Sequence, residues 1–267
     1  MINDENLCIK LDLTDDCISL FTHFAHLPYA VLLDSANSNH VNSRFDIIAI
    51  EPLNTLEVSN NQCFLNGEAQ SRDCFTLMKS ALDDFDNTAN PNGLPFTGGW
   101  LGYFGYDFGR VIETMPSHAD NDIAMPQMAL GLYPDALIFD KQQQSWFYVA
   151  QRHHNRLAQY QHFLSQTPTD SVPFTLNSDW QSNMTKASYT EKFEQIQAYL
   201  KSGDCYQINL AQRFSAEFSG STWHAYRTLR DANKAPFSSY INHPDGAILS
   251  ISPERFIAIT KEKLKPS

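Results

Sequence analysis

Cysteine, basic residues, glycine, proline and long apolar runs are all scarce in this chain. Its five cysteines, Cys8, Cys17, Cys63, Cys74 and Cys205, are odd in number and lack CxxC spacing. That pattern speaks against a disulfide framework or a zinc site and predicts reduced thiols in a cytoplasmic protein. Eleven glycines and 13 prolines in 267 residues make about 9% against a usual ~12%, which excludes collagen-like and low-complexity chains. Nineteen Lys and Arg stand against 30 Asp and Glu, a formal charge of −11. No broad positive field is left for nucleic acid or anionic lipid, so an anionic ligand must be held by a local cluster. Nowhere do ~18 apolar residues follow one another, and MINDENLCIKLDLTDD is acidic where a secretion signal needs a basic start. The expectation is a cytoplasmic globular protein with a small-molecule ligand and neither a membrane nor a nucleic-acid partner. At this length a folded chain buries roughly 70–75% of its unfolded surface, so the core needs no covalent staple.

What is present is a mixture of two periodicities. Leu7–Leu13 nearly alternates as a half-buried strand, and Thr14 with Asp15 and Asp16 predicts a helix start that runs to Pro28. Residues 29–33 and 45–50 are β-type runs separated by the polar SANSNHVNS. Residues 55–58 and 62–65 form a predicted hairpin across Asn60 and Asn61. Ser71 is expected to open a helix carrying Cys74, Met78, Leu82 and Phe85, and a polar, turn-rich stretch follows at 86–95. β-type segments then fill 128–139 and 146–150, with a helix near 154–164. The Pro-, Ser- and Thr-rich QTPTDSVPFTLNSDWQSN predicts a linker at 166–181 between an N-terminal region, 1–165, and a second region, 182–267. In the second region Thr185 caps a helix with Tyr189, Phe193, Ile196 and Leu200 on one face, ended by Gly203. Strands are expected at 206–214, 237–241, 247–251 and 256–259, around a helix at 222–232, and no solenoid repeat is found.

Few residues carry chemistry on spacing alone. GGWLGYFGYDFGR has glycines at 98, 99, 102, 105 and 109 but no GK[ST], so close packing of sheet layers suits it better than a phosphate cradle. His23/His26 and His153/His154 lack zinc-face spacing, and no HExxH occurs. Cys205 follows a helix end, where a thiol is structural rather than nucleophilic. Glu254, in Ser252-Pro253-Glu254 after an apolar strand, is either a solvated loop acid or a carboxylate aimed into a cleft.

Four stretches in fixed order, GGWLGYFGYDFGR, SGDCYQINLAQRF, NKAPFSSYI and LSISPERF, resemble the chorismate-utilising family that includes anthranilate synthase component I, isochorismate synthase and aminodeoxychorismate synthase component I. The resemblance runs from about Leu32 to Phe256, and CYQINLAQRF with APFS is most similar to the aminating branch. It implies an α+β fold in which antiparallel sheets pack face to face with helices around the outside. It also implies amination of chorismate to 4-amino-4-deoxychorismate on the route to 4-aminobenzoate and folate, with Mg2+ and with ammonia from a glutaminase subunit.

Such proteins use a lysine of a PIKGT segment as nucleophile. This chain ends at KLKPS, where that segment is expected to begin, and the later magnesium-binding motifs are absent. The expectation is therefore an incomplete fold, inactive alone, with Ile208, Leu210, Leu249 and Ile251 left without partners. Through SPERF the resemblance makes Glu254 the catalytic candidate, as a proton-transfer or orienting carboxylate. It further implies an amino-acid pocket for tryptophan. LLDS supplies Ser35, with Asp34 where the pattern has Glu, and Ser43, Arg44 and Phe45 match the SRF loop end. Pro236, Phe237 and Ser238 form the other wall, and Asn42 replaces an expected aromatic. Ser35 and Ser43 as strand ends, and Arg44 as the partner of an acid, are the plainer readings of the same residues. Two further functions stay open: a non-catalytic tryptophan-binding regulatory module, and anthranilate synthase component I.

Overall fold

A computed structural model of the protein describes residues 7–83, 85, 93–116, 118, 121–168, 172–260 and, as backbone, 263–266. Most of the polar stretch expected at 86–95, and residues 169–171 of the expected linker, lie outside the described residues. In chain order the first elements are β1 (Leu7–Leu11), α1 (Cys17–Thr22), β2 (Val31–Asp34), β3 (Phe45–Ala49), β4 (Asn54–Ser59), β5 (Gln62–Leu65), β6 (Glu68–Gln70) and α2 (Cys74–Leu82). Then come β7 (Gly99–Phe104), a short 3-10 turn, α3 (Gly109–Ile112), β8 (Met128–Tyr133), β9 (Asp135–Asp140), β10 (Ser145–Ala150) and α4 (Leu157–Ser165). The remainder is β11 (Thr175–Leu176), β12 (Gln181–Ser182), α5 (Lys186–Ser202), β13 (Phe214–Ser215), β14 (Phe218–Ser219), α6 (Thr222–Asn233), β15 (Phe237–His243), β16 (Gly246–Ser252), β17 (Ile257–Thr260) and β18 (Lys263–Pro266).

Thr185 caps α5 as expected, accepting from Ser188 N at 3.1 Å, but the first two helices start at carboxylates placed later than the sequence suggests. Asp16, not Thr14, caps α1 by accepting from Ser19 N at 2.7 Å. Asp73, not Ser71, caps α2, accepting from Thr76 N at 2.9 Å. A side chain caps only from the extended residue that directly precedes the first turn, and both aspartates hold that conformation. α1 ends at Thr22, well before Pro28. Asn60 and Asn61, at φ +49° and +61°, make the hairpin turn as the sequence predicts.

Two compact units divide the chain, Met1–Asp170 with Tyr226–Ser267, and Ser171–Ala225. The first holds a seven-stranded sheet, β1-β10-β9-β3-β2-β15-β16, and a five-stranded sheet, β6-β5-β4-β8-β7, antiparallel throughout. The later region expected at 182–267 is thus not separate, because β15 pairs directly with β2 (Ser238↔Asp34, Ile241↔Val31). Strand alternation decides what each face buries. Val31, Ile47, Ala136, Ile138, Phe147, Val149 and Ile241 point between the sheets and pack with Tyr133, Leu101 and Tyr103 of the smaller one. Leu56, Val58, Met128 and Leu130, on the smaller sheet's outer face, pack on Cys74 and Leu77 of α2. Residues of opposite parity in the larger sheet, Tyr148 and Tyr240 among them, meet the helices, with Tyr160 of α4 edge-on to Tyr148 and Phe21 of α1 edge-on to Tyr240. The expected face-to-face antiparallel α+β fold is what forms.

The glycine-rich strand β7 works by close approach: at φ +155°, a Cβ on Gly102 would stand 2.0 Å from Ala129 O in β8.

In the second unit, part of the expected linker is paired structure, β11 with β14 and β12 with β13. Its polar side chains read as loop because every residue of β11 and β12 is exposed. The strand expected at 206–214 shrinks to Phe214 and Ser215, and residues 206–213 find no strand partner among the described residues. Among the described residues no helix is long and apolar enough to cross a membrane.

Candidate functional site

The helix-facing side of the seven-stranded sheet buries three carboxylates: Asp135 of β9, held by Tyr148, Arg156 and Tyr160, and Asp34 and Asp46 at neighbouring places on β2 and β3. Asp34 and Asp46 are 3% and 1% exposed, and burial at that level requires partners. Asp34 finds them on two helices. Arg230 of α6 grips it through Nε and, at 3.2 Å, Nη2; Tyr226 donates its hydroxyl at 3.2 Å. Cys17 of α1 points its thiol at the same carboxylate at 3.7 Å. Burial opposes the Arg230 charge, but the hydrogen bond and charge of Asp34 outweigh it and hold the guanidinium more firmly protonated than usual. Burial, reinforced by Asp46 and Asp34, pushes the Cys17 thiol well above the ordinary range, so it stays neutral.

Asp46 binds the chain at the end of β2. Its Oδ1 accepts from Ser35 N at 2.9 Å and Ser35 Oγ at 2.7 Å. Lys141, in the β9–β10 turn, donates to Ser35 Oγ at 2.5 Å and lies 3.3 Å from the same carboxylate oxygen.

The residues expected to form the amino-acid pocket are partly gathered. Ser35 is buried beside Asp46, and Ser238 lies across from Asp34 in the β2–β15 ladder with its hydroxyl donating to Ala235 O at 2.8 Å. Ser43 is buried and shares a hydrogen bond with Ser38 on the β2–β3 loop. Arg44 turns away: it lies over the Phe45 ring at 4.5 Å and forks onto Asp140 through Nε at 3.1 Å and Nη2 at 2.7 Å. Pairing with an acid, the plainer reading of that arginine, is how it sits. Pro236 and Phe237 are half-buried, and Arg255 lies over the Phe237 ring at 5.7 Å. Glu254 is exposed in a turn after β16, its backbone tied to Ser252 Oγ at 2.8 and 3.4 Å.

Comparison with known proteins places this geometry. The model of the chorismate binding enzyme family matches residues 29–266. The chain belongs to that family. It is 45% identical over 252 residues to aminodeoxychorismate synthase component 1 of Escherichia coli, covering 92% of this chain and 55% of that protein. It is 44% identical over 244 residues to the protein of the same name from Salmonella typhimurium, covering 90% and 53%. The chain therefore spans about half the length of the curated relatives it matches. Among solved structures, anthranilate synthase component I from Streptococcus pneumoniae shares the fold at a TM-score of 0.69 and 23% identity, over 84% of this chain and 53% of that one.

The Mg2+ that the family resemblance implies does not suit the acids brought together here. Among the described residues the trio close enough to share an ion is Cys17, Asp34 and Asp46. Mg2+ prefers oxygen ligands and retained waters, whereas this trio includes a neutral thiol and is fully buried. Arg230 and Lys141 already balance its two carboxylates.

Sequence reasoning about this family member missed Asp46, Lys141 and Arg230. Asp46 had a signal, since a charged residue inside the apolar run FDIIAI must be paired if that run is a strand. Lys141 and Arg230 had none, because their partners lie about a hundred and two hundred residues away.

Proposed function

We propose that this chain is the N-terminal part of an aminodeoxychorismate synthase component I, cytoplasmic, acting on chorismate with ammonia from a glutaminase partner to give 4-amino-4-deoxychorismate for 4-aminobenzoate and folate. The observation that carries the reading is the 45% identity with the E. coli protein over 252 residues, beside a family match over residues 29–266 that includes the SPERF turn. In this reading Glu254 orients the substrate or moves a proton at the reacting centre, a role that suits an exposed carboxylate at a strand end whose side chain has no partner among the described residues. Mg2+, when bound, offsets substrate carboxylates, and its ligands belong to parts of the synthase other than this chain. The Ser35, Ser43 and Pro236–Ser238 group serves as a tryptophan pocket beside the catalytic half.

The experiment mixes this chain with the remaining half of the E. coli relative, chorismate, ammonium and Mg2+, and measures 4-amino-4-deoxychorismate. The chain alone is expected to give none and the mixture a measurable rate. In the mixture Glu254→Gln lowers kcat far more than it raises KM. Product from the chain alone sinks the half-synthase reading, anthranilate as product transfers it to the anthranilate branch, and an unchanged kcat removes Glu254 from the chemistry.

The buried polar group around Ser35 favours a second reading, a tryptophan-binding regulatory module without chemistry. Tryptophan binding by calorimetry, combined with a mixture that stays inactive, selects it.

A further inference from the structure

The carboxylate of Glu254 has no hydrogen-bond partner among the described residues, so its direction depends on the turn that carries it. Two neighbours hold that turn. On one side Ser252, the last residue of β16, donates its hydroxyl to Glu254 O at 2.8 Å and accepts from Glu254 N at 3.4 Å. Ser252 is paired across the ladder with Phe237, the first residue of β15. On the other side Arg255 lays its guanidinium over the ring of that same Phe237, 5.7 Å from the centroid. The ring is itself placed, because His40 of the β2–β3 loop meets it edge-on with centroids 6.0 Å apart. The turn thus returns to one aromatic residue from both ends.

Arg255 Nε is buried and meets no acceptor among the described residues. A buried N–H without an acceptor costs stability, so the side chain is kept there for what it holds rather than for a bond of its own. A ring face attracts the cation and, unlike an acidic partner, puts no second carboxylate beside Glu254. We infer that Arg255 is a positioning residue: stacked on Phe237, it fixes the turn and through it the direction of the Glu254 carboxylate, without itself meeting the substrate. This rests on the reading of Glu254 as a group at the reacting centre, and it holds with no amino acid bound.

The mixture of this chain with the remaining half of the E. coli relative tests it, in the absence of tryptophan. Loss of a cation–ring contact corresponds to roughly 2- to 30-fold in rate. Arg255→Gln and Phe237→Leu should each lower kcat by about that factor with KM little changed, and Phe237→Tyr, which keeps the ring face, should stay near wild type. The two losses should not add when combined, since both remove the same contact. The deciding comparison is made on Glu254→Gln. A residue that acts only through that carboxylate then has nothing left to position, so adding Arg255→Gln should leave the residual kcat unchanged. If Arg255→Gln lowers kcat by the same factor with and without Glu254, or in neither case, the inference falls and Glu254 stays in the chemistry. A rise in KM alone means that Arg255 meets the substrate and also overturns it. If Glu254→Gln itself leaves kcat unchanged, the reading of Glu254 falls and takes the inference with it. Should the mixture turn nothing over, hydrogen exchange on the 267-residue chain decides alone. Amides of the turn should then exchange faster by a similar factor in Arg255→Gln and Phe237→Leu, and equal exchange in all three proteins overturns the inference.

Discussion

At the scale of single residues, the Asp34–Arg230 pair dominates. Both side chains are nearly sealed, at 0% and 7% exposure, so removing one partner leaves the other as a bare buried charge. Arg230→Ala should cost about 3–5 kcal/mol, read from urea unfolding followed by tryptophan fluorescence. The double replacement Asp34→Leu with Arg230→Leu should recover much of that loss, since an apolar pair of similar volume removes the desolvation cost along with the attraction. A single-variant loss below about 1 kcal/mol would show that the pair is reached by water. Arg44, with its side chain 36% exposed on Asp140, should lose less on truncation than Arg230.

At the scale of elements, β4 of the smaller sheet is tied to β15 of the larger one through a polar clasp. His243 Nε2 donates to Glu57 at 3.0 Å, its Nδ1 accepts from Asp245 N at 3.1 Å, and Tyr29 donates its hydroxyl to the same Glu57 oxygen. The hydrogen bond from His243, against a smaller opposing effect of burial, holds the Glu57 carboxyl below its usual value. A carboxyl depressed in the folded state stabilises the fold fully above its ordinary pKa and loses that contribution as pH falls through the depressed value. Glu57→Gln should therefore lower Tm near neutral pH and flatten the fall of Tm between about pH 5 and 3. Parallel Tm curves for the two proteins would remove Glu57 from the acid limb. Gly102→Ala, forced against Ala129 O at a left-handed backbone, should cost at least about 1–3 kcal/mol for the conformation alone.

Across the whole molecule, burial is divided unequally between the units. Every residue of β10 is buried, whereas α5 buries none of its 17. Local opening should follow that difference: amides of α5 should exchange on the order of 100-fold faster than those of β9 and β10 by hydrogen-exchange mass spectrometry. Equal protection would mean that the second unit opens only with the whole. The residues expected to lack partners differ among themselves, with Ile208 40% exposed and Leu210, Leu249 and Ile251 half-buried. More exposed apolar side chains stand elsewhere in 171–225, namely Trp180 at 61%, Phe193 at 48% and Phe214 at 54%. If the complementary half of the relative covers them, adding it should slow exchange in α5 and reduce binding of a hydrophobic dye.

By itself the sequence determined most of the elements and the fold class, because those depend on local periodicity. Alternation at 29–33 and 45–50 marks β2 and β3, the Asn60-Asn61 pair marks the hairpin, and Gly203, left-handed at φ +80°, ends α5 where a glycine should. It also carried the resemblance from which the Ser35 and Ser238 neighbourhood was expected; Ser238 pairs with Asp34, the residue before Ser35. Tertiary structure alone decided what those residues touch. Arg44 turned to Asp140, 96 residues on, Arg230 came back 196 residues to Asp34, and β15 joined the first sheet across the expected boundary. Such partners leave no periodic trace, because an ion pair needs only two side chains at one place, and which place is set by the register of strands far apart in the chain.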